Sequence, residues 1–242
     1  MPREVCVPLQ RFVFFFLTGI FLLACSPVVA EAFTLSHPDI AARLSNVKAI
    51  GLAPPDVRIY ELSAGGVSEI KEDWTAKAKE NVTRSLLERF PGKLVEVKKD
   101  ALEKSVRDDM DDVLALYKIV VGSYIIHAEG PNAFPVKRDV SAYTLGSLES
   151  LFAALKVDAL LVVYGSDRIS TGGRKALAVL GMVGGVVMAP GVTVMNIGLV
   201  DKSGSVLWFN SKGSVVGGDF REQEGAANFT GETLSGFPGL PP

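Results

Sequence analysis

Histidine and cysteine, which supply most metal ligands and nucleophiles, are nearly missing: the 242-residue chain has two of each. His37 and His127 lie far apart with no motif around either. Each reads as a surface or capping residue rather than a base or ligand. An excess of one charge is missing too, because the net charge is −2 with acids and bases mixed throughout. Without a basic stripe, nucleic acid is not an expected partner. No serine sits in a G-x-S-x-G elbow, and "STGGRKA" (170–176) lacks phosphate-loop spacing, so it reads as a helix-start turn. Asp108, Asp109, Asp111 and Asp112 have neither the glycine hinge nor the closing glutamate of a calcium loop, and read as a solvated helix face. The expectation is a protein that is not an enzyme, with no cofactor and no metal site.

What is present begins at the N-terminus. Arg3 and Arg11 precede the apolar run "FVFFFLTGIFLL" (12–23), followed by Ala24, Cys25, Ser26 and Pro27. A basic start, an apolar stretch of this length and a small-residue exit make a secretory leader. "LLAC" (22–25) resembles the bacterial lipobox. That resemblance implies cleavage ahead of Cys25 and acylation of its sulfur, with chains such as palmitate. Ser26 in the following position implies sorting to the outer membrane, on its periplasmic face. Each buried CH₂ of an acyl chain contributes about 0.8 kcal/mol, so several chains hold a protein stably. An uncleaved anchor and an ordinary cleaved leader are the alternatives. Cys6 falls within the leader, so the mature chain would keep Cys25 alone and could form no internal disulfide. The organisation expected is a signal peptide at 1–24, a linker at 25–46, a single domain at 47–237 and a Pro-rich tail at 238–242.

Periodicity sets the elements of that domain. Trp74, Ala78, Val82 and Leu86 recur every four residues and define a helix stopped by Pro91-Gly92. Leu102, Val106, Met110, Val113, Tyr117, Val120 and Tyr124 make a longer stripe. "VDALLVVYG" (157–165) is apolar throughout, as a central strand is. "VTVMNIGLVDKSGSVLWFNS" (192–211) reads as a β-hairpin turning at Asp201 to Gly204, with Trp208 buried by sheet packing. The fold class is therefore mixed α/β: a three-layer-like mixed sheet covered by helices, with a C-terminal β-hairpin.

Three of these segments carry a resemblance: "VKAIGLAPP", "VDALLVVYGSDRIS" and "IGLVDKSGSVLWFNS". The chain resembles periplasmic lipoproteins with the α/β domain of the curli-secretion protein CsgG and its relatives, including LpoB and PelC. Asp201, Gly204, Val206, Leu207 and Trp208 match the aspartate, glycine turn and hydrophobic-Leu-Trp strand of such hairpins. The resemblance implies an accessory or structural role in envelope assembly, export or cell-wall systems, as a homo-oligomer or with an envelope protein partner. It implies no shared catalytic residue. The paired alternating strands with which CsgG builds a membrane barrel are not found here. A lipid-tethered ligand-binding or sensing module is the competing functional class.

Between Lys175 and Asp201 the chain carries no charge. Glycines and Pro190 divide the block into a helix over about 173–185, a turn and a strand. Ala178, Gly181, Gly185 and Ala189 would form a ridge of small residues on that helix, allowing close backbone approach. Three readings stay open: a helix buried on the sheet, a segment exposed to a partner or the bilayer, or a true span.

Overall fold

The structure is a computed structural model that describes residues 33–129, 134–135, 139, 143–183, 189, 191–215 and 217–240. Its framework is one mixed sheet of strands β1 (Phe33–Ser36), β2 (Ile50–Leu52), β3 (Asp56–Leu62), β4 (Ser68–Ile70), β5 (Leu94–Glu96), β6 (Ala159–Ser170), β7 (Gly191–Asp201) and β8 (Val206–Ser214). The order β1-β8-β7-β6-β2-β5 crosses it, with β3 beside β6 and β4 beside β3.

The long strand β6 is the axis, pairing with β7 along nearly its whole length. Its other edge is shared. β2 runs parallel to Ala159–Leu161, and β3 runs parallel to Tyr164–Ser170. Pro54 and Pro55 stand between β2 and β3; proline has no N–H for a ladder, so the edge is interrupted there and resumes beyond.

Successive β6 side chains point to opposite faces, and both faces are covered. Ala159, Leu161 and Val163 pack with Ala78, Val82 and Leu86 of helix α2 (Glu72–Arg89) and with Ala226 and Phe229 of helix α6 (Gln223–Thr233). Leu160, Val162 and Tyr164 pack with Met110, Tyr117, Val121 and Tyr124 of helix α3 (Lys104–Tyr124) and with Leu151 and Phe152 of helix α4 (Glu149–Leu155). Burial on both sides is why β6 reads as an unbroken apolar run. Tyr117 is fully buried beneath α3, and a Cβ on Gly198 of β7 would collide with its hydroxyl. Burial, and then the neighbouring Tyr164, push the Tyr117 phenol well above its usual range.

Two segments outside the expected 47–237 domain are built into it. Within the expected 25–46 linker, β1 pairs antiparallel with β8, and helix α1 (Ile40–Leu44) follows with Ile40 in the core. The strand is only four residues long and its partner lies at the other end of the chain, so local periodicity does not mark it. At the other terminus, Leu240 of the expected tail packs against the core. His37 is buried in the turn after β1, where its Nδ1 accepts the Asp39 N–H at 3.1 Å, a capping role as expected. His127 is exposed. Asp108 and Asp111 pair with Lys104 and Lys99 on the surface of α3.

Candidate functional site: apolar surfaces and a buried carboxylate

Cys25 lies outside the described residues. The uncharged block forms helix α5 (Gly172–Val183) and then β7, which begins at Gly191. Thr171 Oγ1 accepts the Arg174 N–H at 3.3 Å and so caps the helix start. Of the expected ridge, Ala178 is buried and Gly181 half-buried. Ala189 is half-buried beyond the described helix, and Gly185 lies outside the described residues. The small residues thus face the helix's own domain. Leu177, Val179, Leu180 and Met182 are 45–67 % exposed. This reverses ordinary amphipathicity, in which large apolar residues turn inward. Among the described residues, no helix is long and apolar enough to cross a membrane.

A second apolar surface lies on α3. Its inner side buries Met110, Tyr117, Val121 and Tyr124, while Leu116 and Ile119 on the outer side, and Ile126 in the π-turn that follows, are 40–69 % exposed. The inner stripe is plain in the sequence. The outer one has the same helical spacing, at 116, 119 and 126, but the deeper inner stripe masks it.

The third feature is Asp167 on β6, fully buried on the α2 and α6 side of the sheet. Its Oδ1 accepts the Thr193 hydroxyl at 2.7 Å, and its Oδ2 accepts the Phe220 N–H at 3.2 Å. Thr193 Oγ1 in turn accepts the Gly218 N–H at 2.6 Å. The carboxylate therefore staples the segment leading into α6 onto the sheet. Burial raises the Asp167 pKa against the pull of those hydrogen bonds. The nearby Asp219 carboxyl is held low, chiefly by its hydrogen bonds from Arg221, both at 2.8 Å. A shifted buried carboxyl can mark an active site, but both Asp167 oxygens already accept hydrogen bonds within the fold, and the geometry is that of a structural staple. Nothing in "GSDRIS" sets this aspartate apart from a surface one in the sequence.

The raised pKa has a consequence for stability. Between the ordinary carboxylate value and the raised one, the folded state holds a proton that the unfolded chain releases. The Asp167 contribution is therefore fully present at acid pH and is lost as pH rises through the folded pKa. Asp167→Asn removes this titration. Denaturation midpoints from pH 4 to pH 7 should show wild type losing ground to the variant as pH rises. A gap that stays constant would show that Asp167 ionises normally in the fold.

No protein-family model matches the chain, and no curated protein matches it. Among solved structures, it is similar to a PelC variant from Paraburkholderia phytofirmans, a dodecamer. That similarity has 12 % identity and a TM-score of 0.35, over 85 % of this chain and 95 % of the other.

Proposed function

We propose that this chain is a lipid-anchored, non-enzymatic protein of the bacterial envelope, held on the periplasmic face of the outer membrane through Cys25. It acts there as a structural or accessory component that assembles with further copies of itself or with an envelope protein. The anchoring half of this reading rests on the "LLAC" lipobox resemblance. The assembly half is carried by one observation, the outer stripe of α3. Leu116, Ile119 and Ile126 leave apolar surface in water on a helix whose inner side is already fully used. Exposed large apolar side chains repeated along one side of a helix are a feature of interaction sites.

The test is the assembly state of the detergent-extracted protein, measured by light scattering. Ile119→Glu with Ile126→Glu should convert an oligomer to a monomer while leaving the circular dichroism spectrum unchanged, because both positions are exposed. A wild type already monomeric and without a co-purifying envelope partner would favour the second reading, a tethered ligand-binding module. That reading has its own support. A small apolar cleft lined by Leu35, Val121, Tyr124, Val206 and Phe209 also receives Tyr143, whose buried hydroxyl has no partner among the described residues.

A further inference from the structure

Strand register places several exposed apolar groups at one end of the sheet. β6 ends at Ser170, opposite Leu62 of β3, and β7 begins at Gly191, opposite Ile169. β8 ends at Ser214, opposite Thr193. Helix α5, which joins β6 to β7, therefore shares this end with the β3–β4 turn and with the residues that follow β8. Gly173 of α5 lies beside Ala64 of that turn. Val67 in the turn is 68 % exposed, and Val215 after β8 is 46 % exposed. With Leu177, Val179, Leu180 and Met182, they make this the apolar end of the molecule.

The N-terminal strand supplies a separate observation. β1 runs antiparallel to β8, with Phe33 opposite Ser211 and Ser36 opposite Trp208. The chain therefore enters the sheet from the α5 end and runs away from it. Residues 25–32 are all that separate Cys25 from Phe33. Fully extended, they reach at most about 29 Å. From the level of Phe33 to the α5 end of β6 is about 20 Å of strand. A lipid on Cys25 is thus within reach of the plane of α5, the end from which the chain enters β1.

We propose that the α5 end of the sheet rests on the lipid bilayer, with α5 lying along the interface and Leu177, Val179, Leu180 and Met182 directed into the acyl region. The proposal rests on the lipid-anchored reading for the presence of a membrane, and it adds a second contact of the domain itself. Two features favour a bilayer over another protein subunit. The only charges on α5 are Arg174 and Lys175 in its first turn, the sign that meets lipid phosphates. Its 12 described residues are enough to lie in an interface and too few to span one. The small inward residues Ala178 and Gly181 then have a function: they let α5 sit close to its own domain while its bulk faces lipid.

The test uses the mature-length chain with Cys25→Ser, which has no other cysteine and no acyl group, so its outcome does not depend on lipidation. A polarity-sensitive thiol dye is placed in turn at Leu180→Cys, Val67→Cys and, as a control on α3, Ile119→Cys. Vesicles of phosphatidylethanolamine and phosphatidylglycerol should shift the dye to the blue at positions 180 and 67, and lipids spin-labelled on the acyl chain should quench it there. Position 119 should not respond. Leu177→Asp with Leu180→Asp should lower vesicle partition by about tenfold or more, since two leucine side chains leave the apolar phase. No response at 180 with vesicles would overturn the proposal. A blue shift at 180 that depends on protein concentration and not on vesicles would also overturn it, in favour of a second copy. A response at 119 alone would leave the assembly reading without its surface while refuting this one.

Discussion

Trp208→Ala is expected to lower stability by about 3–5 kcal/mol, the range for removing a large aromatic from a core. Trp208 has no exposed surface. Its ring meets Phe237 edge-on at 4.9 Å, and Phe237 meets Phe90 edge-on at 5.2 Å. One side chain on β8 therefore joins the sheet to the end of α2 and to the C-terminal segment. Urea denaturation should show a lower midpoint at an unchanged slope, the sign of lost stability without a changed fold. The Trp208 Nε1 is buried without a partner among the described residues, so its hydrogen contributes nothing there that Phe would forfeit. Trp208→Phe should cost much less than Trp208→Ala. An alanine variant with normal stability but lost binding to an envelope partner would make Trp208 part of a site.

The parts of this fold that were legible in the sequence are those where one face is apolar and the other is not. Ala78, Val82 and Leu86 mark the buried side of α2 because charged residues fill the rest of the helix. The β7–β8 hairpin declares itself through Asp201 and Gly204, whose φ of 80° favours glycine. In α5 the same logic fails. Residues 176–183 are apolar on every side, so periodicity shows that Ala178 and Gly181 share a face without showing which way it points. The neighbouring elements decide this, and they turn the small residues inward. Long-range pairing hid β1 in a similar way. Phe33–Ser36 carries only four residues of pattern, and its partner β8 lies far along the chain. Asp167 was hidden by context alone, since a buried, hydrogen-bonded aspartate and a solvated one share a code. Its partners, Thr193 and the Gly218 and Phe220 amides, are brought to it only by the β6–β7 pairing and the segment after β8.

Cys25→Ser is expected to have the largest effect on where the protein resides. Under the lipobox reading, acyl chains on this sulfur supply most of the membrane affinity, at about 0.8 kcal/mol per buried CH₂. The serine variant should incorporate no labelled palmitate and should either leave the membrane fraction or accumulate as an uncleaved precursor. Continued labelling would mean that another residue carries the lipid, or that none is carried on a lipobox cysteine at all. The α5 proposal makes the size of the release informative. If the apolar end of the sheet touches lipid by itself, a processed Cys25→Ser chain should keep a weak, reversible membrane association. That remainder should vanish when Leu177→Asp and Leu180→Asp are added. If the acyl chains are the only contact, Cys25→Ser should release the domain completely, and the aspartates should change nothing further. The three substitutions together thus separate a domain that hangs from its tether from one that rests on the membrane.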